Sequence, residues 1–289
     1  MEGQEVTSAA SARMIEIATW LALALFLVVV IGFAWNPGPF GQALAATGIS
    51  AAILHSCLTY GWKRASTLLA ICLVVSFAME NLSSVTGFPF GHYHFVVGDW
   101  MPHIGTIPII VGFLWFGMGY FSWIVAATLL DHADMRLRED GNLFVLPIIS
   151  AFVMTQWDLV MDPPMATIFR AWVWHDGGAD FGVPMSNFAG WFLTSWLFFQ
   201  LFAFILSLRA PRSPIVREPI LRLTAIILYV APGLTHIVPW LTQQPRAVAD
   251  AAGHVWQAND IRSTTVVIMA LTMAFTATLA LMRLTRKWK

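Results

Sequence analysis

Asp158 and Asp162 stand four residues apart at the end of a strongly apolar run, in the stretch QWDLVMDPPMATIFRAWVWHDGGADFGVPMSNFAGW covering residues 156–191. At helical spacing the two carboxyls share one face, about 6 Å apart along the axis. Two like carboxyls in an apolar surround resist ionising together, so one of them keeps a proton and can act as a general acid. A charge at that depth in a bilayer costs at least about 2.5 kcal/mol, which makes an intramembrane Asp a functional-site hypothesis by default. Two rival uses stay open. Mg²⁺ held for a diphosphate substrate would want basic residues for the phosphate, and this face has almost none. A structural role would have the carboxyls cap the helix or pair with Arg170.

Other groups could join them. Glu80 lies in FAMENLSSVTG, near the outer end of another apolar run and just before Asn81, Ser83 and Ser84. It is either a structural carboxyl paired to a neighbouring helix or a catalytic acid or water-holding base. The next segment, TGFPFGHYHFVVGDWMPHIGTIPI, carries His92, Tyr93, His94, Asp99 and His103. Its Gly, Pro and aromatic content predicts an ordered loop folded back over the helix ends. Asn187 opens the apolar run after the acidic motif, and His236 sits at the outer end of a later one, in PGLTHIVPW. Trp157, Trp172, Trp174 and Trp191 crowd the acidic motif. Ring faces can hold a cation in a dry pocket by about 2 kcal/mol each, although belt or packing duty explains any one of them equally well.

Several chemistries lack their parts. With 8 His in the chain and His92-x-His94 the sole close pair, there are no clusters for a membrane di-iron oxygenase, and no metal site is expected. No lysine lies inside an apolar run and no Gly-x-Ser-x-Gly elbow appears. Cys57 and Cys72 have no metal or redox spacing and read as packing residues. What remains is acid-catalysed chemistry on a hydrophobic alkene: a carboxylic acid protonates the double bond, aromatic faces hold the tertiary cation, and water or a second double bond quenches it. No cofactor is needed, and the substrate enters from the lipid.

The elements that must position these groups are membrane helices. The 289 residues are 58% hydrophobic and 11% charged, with 14 Trp and 21 Phe. Eight runs are long enough to span, at about 14–34, 40–60, 66–85, 106–130, 143–162, 186–208, 220–240 and 262–283. The fold class is an all-α polytopic bundle forming a single transmembrane domain over 1–289, with no competing strand pattern. An even span count puts both termini on one side. That side holds Arg13, Lys63, Arg64, Arg136, Arg138, Arg209, Arg212, Arg217, Arg222, Arg283, Arg286, Lys287 and Lys289, against Arg170, Arg246 and Arg262 on the other. The asymmetry makes both termini cytoplasmic. The protein is then a multi-pass protein of a bacterial inner membrane, and its first apolar run is too long for a cleaved signal peptide. In this topology Glu80, His92, His94, Asp158, Asp162, Asn187 and His236 all fall near the exoplasmic leaflet, which predicts one polar pocket there. The cytoplasmic segment with Asp131, His132 and Asp134 reads as a solvated surface, His55 as a hydrogen-bonded core histidine, Pro163-Pro164 as a helix break, and the segment from Arg246 to Arg262 as amphipathic and interfacial. Net charge is zero and no basic patch suits nucleic acid. The expected partners are membrane lipids and a hydrophobic alkene substrate from the lipid phase.

The blocks ENLSSVTGFPFGHYHF, DLVMDPPM, WVW and FGVPMSNFAGW resemble the integral-membrane carotenoid biosynthesis family that includes the γ-carotene and bisanhydrobacterioruberin hydratases. The resemblance covers about residues 65–210. It implies hydration of a terminal isoprenoid double bond to a tertiary alcohol, and by motif position it points to Glu80, His92, Tyr93, His94, Asp158, Asp162 and Asn187. The expectation is therefore an isoprenoid or carotenoid hydratase in which Asp158 or Asp162 donates the proton. Glu80 and His94, with His92, position or deprotonate water, and Asn187 orients a carboxyl. The aromatic residues Tyr93, Trp157, Trp172, Trp174 and Trp191, with His236, would bind the substrate. A membrane terpene cyclase would use the same cation without water. A lipid carrier or transporter, from a different class, predicts repeats or helices broken at the bilayer centre, which the sequence lacks.

Overall fold

Each long apolar run folds as a helix, because a segment surrounded by hydrocarbon must satisfy its backbone hydrogen bonds within itself. The computed structural model describes residues 2–209 and 217–286; Arg212, Lys287, Trp288 and Lys289 lie outside the described residues. The helices are α1 (Glu2–Trp35), α2 (Pro37–Tyr60), α3 (Trp62–Thr86), α4 (Ile109–Leu129), α5 (Asn142–Pro163), α6 (Met185–Ser207), α7 (Glu218–Leu234), the short α8 (Ile237–Thr242), α9 (Ala258–Met269) and α10 (Phe275–Arg286). Continuous stretches of them make eight segments long and apolar enough to cross a membrane, matching the eight expected runs and giving an integral multi-pass bundle. Local chemistry sets the joints. Asn36 separates α1 from α2, and Pro37 starts α2 at a position where its missing N–H is not needed. Gly87 ends α3 in the left-handed region (φ 77°), donating its N–H to the Ser83 carbonyl at 2.8 Å.

The double proline does not break α5. The helix runs through Pro163 and continues as a π-helical turn, Pro164–Ile168, before Phe169 donates its N–H to the Pro164 carbonyl at 3.0 Å. Neither proline has an N–H to give the carbonyl one turn back, and the wider turn accommodates the loss without ending the helix. The last span joins α9 to α10 through a similar π-helical segment, Ala270–Ala274.

α4 is the axis of the bundle. Its apolar window is 72% buried, against 28% for that of α1, and it packs against α2, α3, α5, α7 and α10. The two ends of the bundle differ in character. One end is capped by loops that contain strands, an element the sequence did not suggest: β1 (Tyr93–Phe95), β2 (His103–Ile104), β3 (Ile107–Pro108), β4 (Trp172–Trp174), β5 (Ala247–Ala249) and β6 (Val255–Gln257). β1 pairs antiparallel with β4 in the register Tyr93↔Trp174, His94↔Val173, Phe95↔Trp172, so the loop after α3 is stitched to the loop after α5. β2–β3 and β5–β6 are local hairpins.

The opposite end is held by ions, and here the sequence expectation fails. Asp134 is not on a solvated surface; its side chain is fully buried, as is that of Arg222. Arg222 Nη2 donates to Asp134 Oδ1 at 2.8 Å and to Glu218 Oε1 at 2.8 Å, and Tyr60 donates its hydroxyl to Asp134 Oδ2 at 2.7 Å. Asp131 pairs with Arg283. Arg222 belongs to α7 and reaches across to the segment after α4, so what reads as loop charge is a buried clamp. His55 is a hydrogen-bonded core histidine: Tyr120 meets its Nδ1 at 2.7 Å and its Nε2 reaches the Leu221 carbonyl at 3.1 Å.

Candidate active site

Three carboxyls from two helices meet below the strand-capped end. Asp158 and Asp162 on α5 are 0% and 2% exposed, Glu80 on α3 is 5%, and Asn187 in the first turn of α6 is 1%. The Asn187 amide Nδ2 donates to Asp158 Oδ1 and Oδ2 at 3.1 and 3.0 Å and to Asp162 Oδ2 at 2.6 Å. Glu80 Oε1 accepts from the Trp115 indole at 2.8 Å, while Oε2 is buried without a partner. Among the described residues, no Arg or Lys forms an ion pair with Glu80, Asp158 or Asp162. Among the described residues, no group of three His, Cys, Asp or Glu is placed to hold a metal ion.

An aromatic wall adjoins the acids. Trp115 stacks on Trp191, with ring centroids 4.2 Å apart and planes 25° from parallel, and Trp191 lies one helical turn beyond Asn187 on the same face of α6. Phe90 packs at 6.0 Å from Trp115 and 6.4 Å from Tyr93, whose ring lies 4.6 Å from Trp174. Phe90 fits only because residue 190 is glycine: a Cβ there would stand 2.6 Å from Phe90 Cδ1 and 3.1 Å from the Pro89 carbonyl carbon. Gly190→Ala is therefore expected to destabilise the protein by about 1–3 kcal/mol through overpacking. A lowered thermal midpoint would show it, and adding Phe90→Ala should recover part of the loss.

Strand parity separates the remaining residues. Tyr93 and Trp174 turn inward and are buried, while His94 and His92 are exposed. His94 Nδ1 meets His175 Nε2 at 2.8 Å. Among the described residues, no imidazole hydrogen-bonds to the three carboxyls. The structure thus brings Glu80, Asp158, Asp162 and Asn187 together and leaves both histidines exposed on the cap, His92 lining a cavity there. Trp172 is half-buried against Phe95 at 6.1 Å, and Trp157 is half-buried against Tyr229 at 6.0 Å with its indole N–H unpartnered. His236 is half-buried between α7 and α8. Arg170 does not pair with the aspartates; it is exposed and reaches the Ala249 carbonyl at 3.4 Å. Trp115, Phe90 and Asp180 were not anticipated as site residues. Asp180, in the loop before α6, is pushed up by burial and acts electrostatically on Asp162. Trp115 could have been flagged only by knowing that α3 and α4 are neighbours.

A cavity of about 420 Å³ opens through the cap, lined among others by Gly87, His92, Trp174, Asp176 and Ser186. Ser186 precedes Asn187 and donates to the Phe90 carbonyl at 3.2 Å. The β5–β6 hairpin docks on this cap through Asp250. Burial raises that carboxyl, but bonds from the Trp256 indole and from the His254 backbone and ring outweigh burial and hold it below its ordinary value of 3.8. A depressed carboxyl stabilises the fold fully above its unfolded value and loses that contribution as pH falls through the lower folded value. Amide exchange in residues 247–257, corrected for intrinsic rate, should therefore quicken below about pH 4 and stay level at neutral pH. Asp250→Asn should remove this pH dependence.

The family described as carotenoid biosynthesis protein matches residues 40–255 of the chain. A bisanhydrobacterioruberin hydratase from Haloarcula japonica is 25% identical over 144 residues, which are 49% of this chain and 46% of that protein, so the chain spans about half the length of the curated relative it matches. No solved structure matches.

Proposed function

The chain belongs to the carotenoid biosynthesis protein family, and from that premise we propose that it is a hydratase adding water across a terminal isoprenoid double bond of a carotenoid or related isoprenoid. The observation that carries this reading is the cluster itself: three buried carboxyls, held by one amide and one indole, beside a stacked pair of tryptophans. Buried acids without a cation supply and recover protons, and ring faces lower the energy of a tertiary cation in a dry site. Proton transfer from a carboxyl forms the cation, water adds to it, and a second carboxyl receives the proton that water releases. Hydrogen and hydroxyl are added overall, and the enzyme is restored once the second carboxyl passes its proton back to the first.

In this proposal the substrate's terminal unit reaches the acids from the lipid, and Tyr93, Trp174 and Trp191 shape its path. The cap lies at the exoplasmic face of a bacterial inner membrane with both termini cytoplasmic, as the Lys/Arg asymmetry supports. His94 and His92 then serve the cap and not the reacting atoms. The relative named a hydratase supports the chemistry; the cluster of acids supports its placement.

Expression in cells that accumulate a linear carotenoid, followed by mass analysis of the pigments, tests the reading. The hydratase predicts a product heavier than its precursor by one water. A cyclised product has the precursor's mass, and a carrier returns the pigment unchanged.

A further inference from the structure

We propose that Glu80, and neither aspartate, delivers the proton to the double bond, while the Asp158–Asp162 pair receives the proton that the attacking water releases. The assignment rests on the hydratase reading above. It follows from what each carboxyl oxygen is doing. Asn187 donates to three of the four aspartate oxygens. Those oxygens are already engaged as acceptors, so presenting a proton from them to a π-bond first disturbs the amide's bonds.

Glu80 is placed differently. Its Oε1 is fixed by the Trp115 indole, and its Oε2 has no partner although the residue is 5% exposed. A bare carboxylate oxygen in a protein interior forfeits its hydration with nothing in return. The acid form instead places an O–H at Oε2, a donor with no partner among the described residues. The indole that holds Glu80 is also the one stacked on Trp191, so the proton leaves from beside the ring faces that would hold the resulting cation.

The cycle closes without a further reagent. The Glu80 O–H bond breaks and its proton bonds to the less substituted alkene carbon, leaving a tertiary cation and a Glu80 carboxylate. A lone pair of water forms the C–O bond, and the proton lost from that oxygen passes to the aspartate pair. The pair then returns one proton to Oε2.

Deuterium exchange separates the two roles, because reversible protonation of the terminal double bond in D₂O washes deuterium into recovered alkene even when no alcohol forms. Membranes are supplied with a linear carotenoid bearing isopropylidene ends, and deuterium is measured in alkene and alcohol. Asp158→Asn should abolish alcohol but keep the wash-in. Glu80→Gln should lower both by at least about a hundredfold. Glu80→Asp, which withdraws the carboxyl by one methylene, should lower wash-in by about a hundredfold with an unchanged thermal midpoint. Wash-in at the wild-type level in Glu80→Asp or Glu80→Gln, or its loss in a folded Asp158→Asn protein, overturns the assignment while leaving wild-type hydration intact. Absence of both alcohol and wash-in from the wild type sinks the hydratase reading, and the assignment with it.

Discussion

Asp158→Asn is expected to reduce alcohol formation by about two to four orders of magnitude, the range that a positioned acid–base group contributes. The substitution is close to isosteric. The new amide would still face Asn187 and Asp162, and the side chain is fully buried within a well-packed helix, so the protein should insert and melt as the wild type does. What is lost is a titratable oxygen that accepts the proton of the attacking water. Asn187→Asp should be nearly as damaging for the opposite reason: it replaces the amide that bonds both aspartates with a fourth carboxyl. Pigment analysis of membranes containing equal amounts of each variant checks both expectations.

Arg222→Met carries the second large effect, on stability. The guanidinium is fully buried between Asp134 and Glu218 and also reaches Thr128 Oγ1 at 3.4 Å. Removing one partner of a buried ion pair costs about 3–5 kcal/mol, because the remaining charge keeps its desolvation penalty and loses its counter-charge. Arg222 bonds to two buried acids at once, so the loss should fall at the upper end of that range. The variant is expected to give little folded protein in detergent and a much lower thermal midpoint. Replacing Arg222, Asp134 and Glu218 together with apolar residues of similar volume should restore most of the stability, since the cation and the two acids bonded to it are removed together. The clamp lies at the end of the bundle opposite the carboxyls, and the triple variant should therefore retain turnover.

These two sites also show what sequence can and cannot disclose. Glu80, Asp158 and Asp162 stand out in a linear reading because a carboxyl within an apolar run is anomalous wherever it points. The eight spans are legible for the same kind of reason, since bilayer thickness fixes their length. Asp134 reads as solvated because it follows a helix among other charges, and its partner Arg222 is 88 residues away. His94 reads as a neighbour of the acids because it shares a segment with Tyr93. Only the register of β1 against β4 determines which of the two residues faces inward, and three-residue strands leave no periodic signal. Trp115 reads as one more apolar residue of α4 until Glu80 is seen 2.8 Å from its indole nitrogen. Pro163-Pro164 carries a strong local signal for a break. The packing of α5 against α6 and α9 overrides it, and the helix absorbs the missing donors in a π turn.

The origin of the added oxygen tests the central claim most directly. Membranes carrying the wild-type chain and a linear carotenoid, incubated in water enriched in heavy oxygen, should yield a tertiary alcohol whose new hydroxyl carries the label, with none from Asp158→Asn. An alcohol without label, or equal labelled alcohol from the two proteins, would contradict hydration by the buried carboxyl cluster.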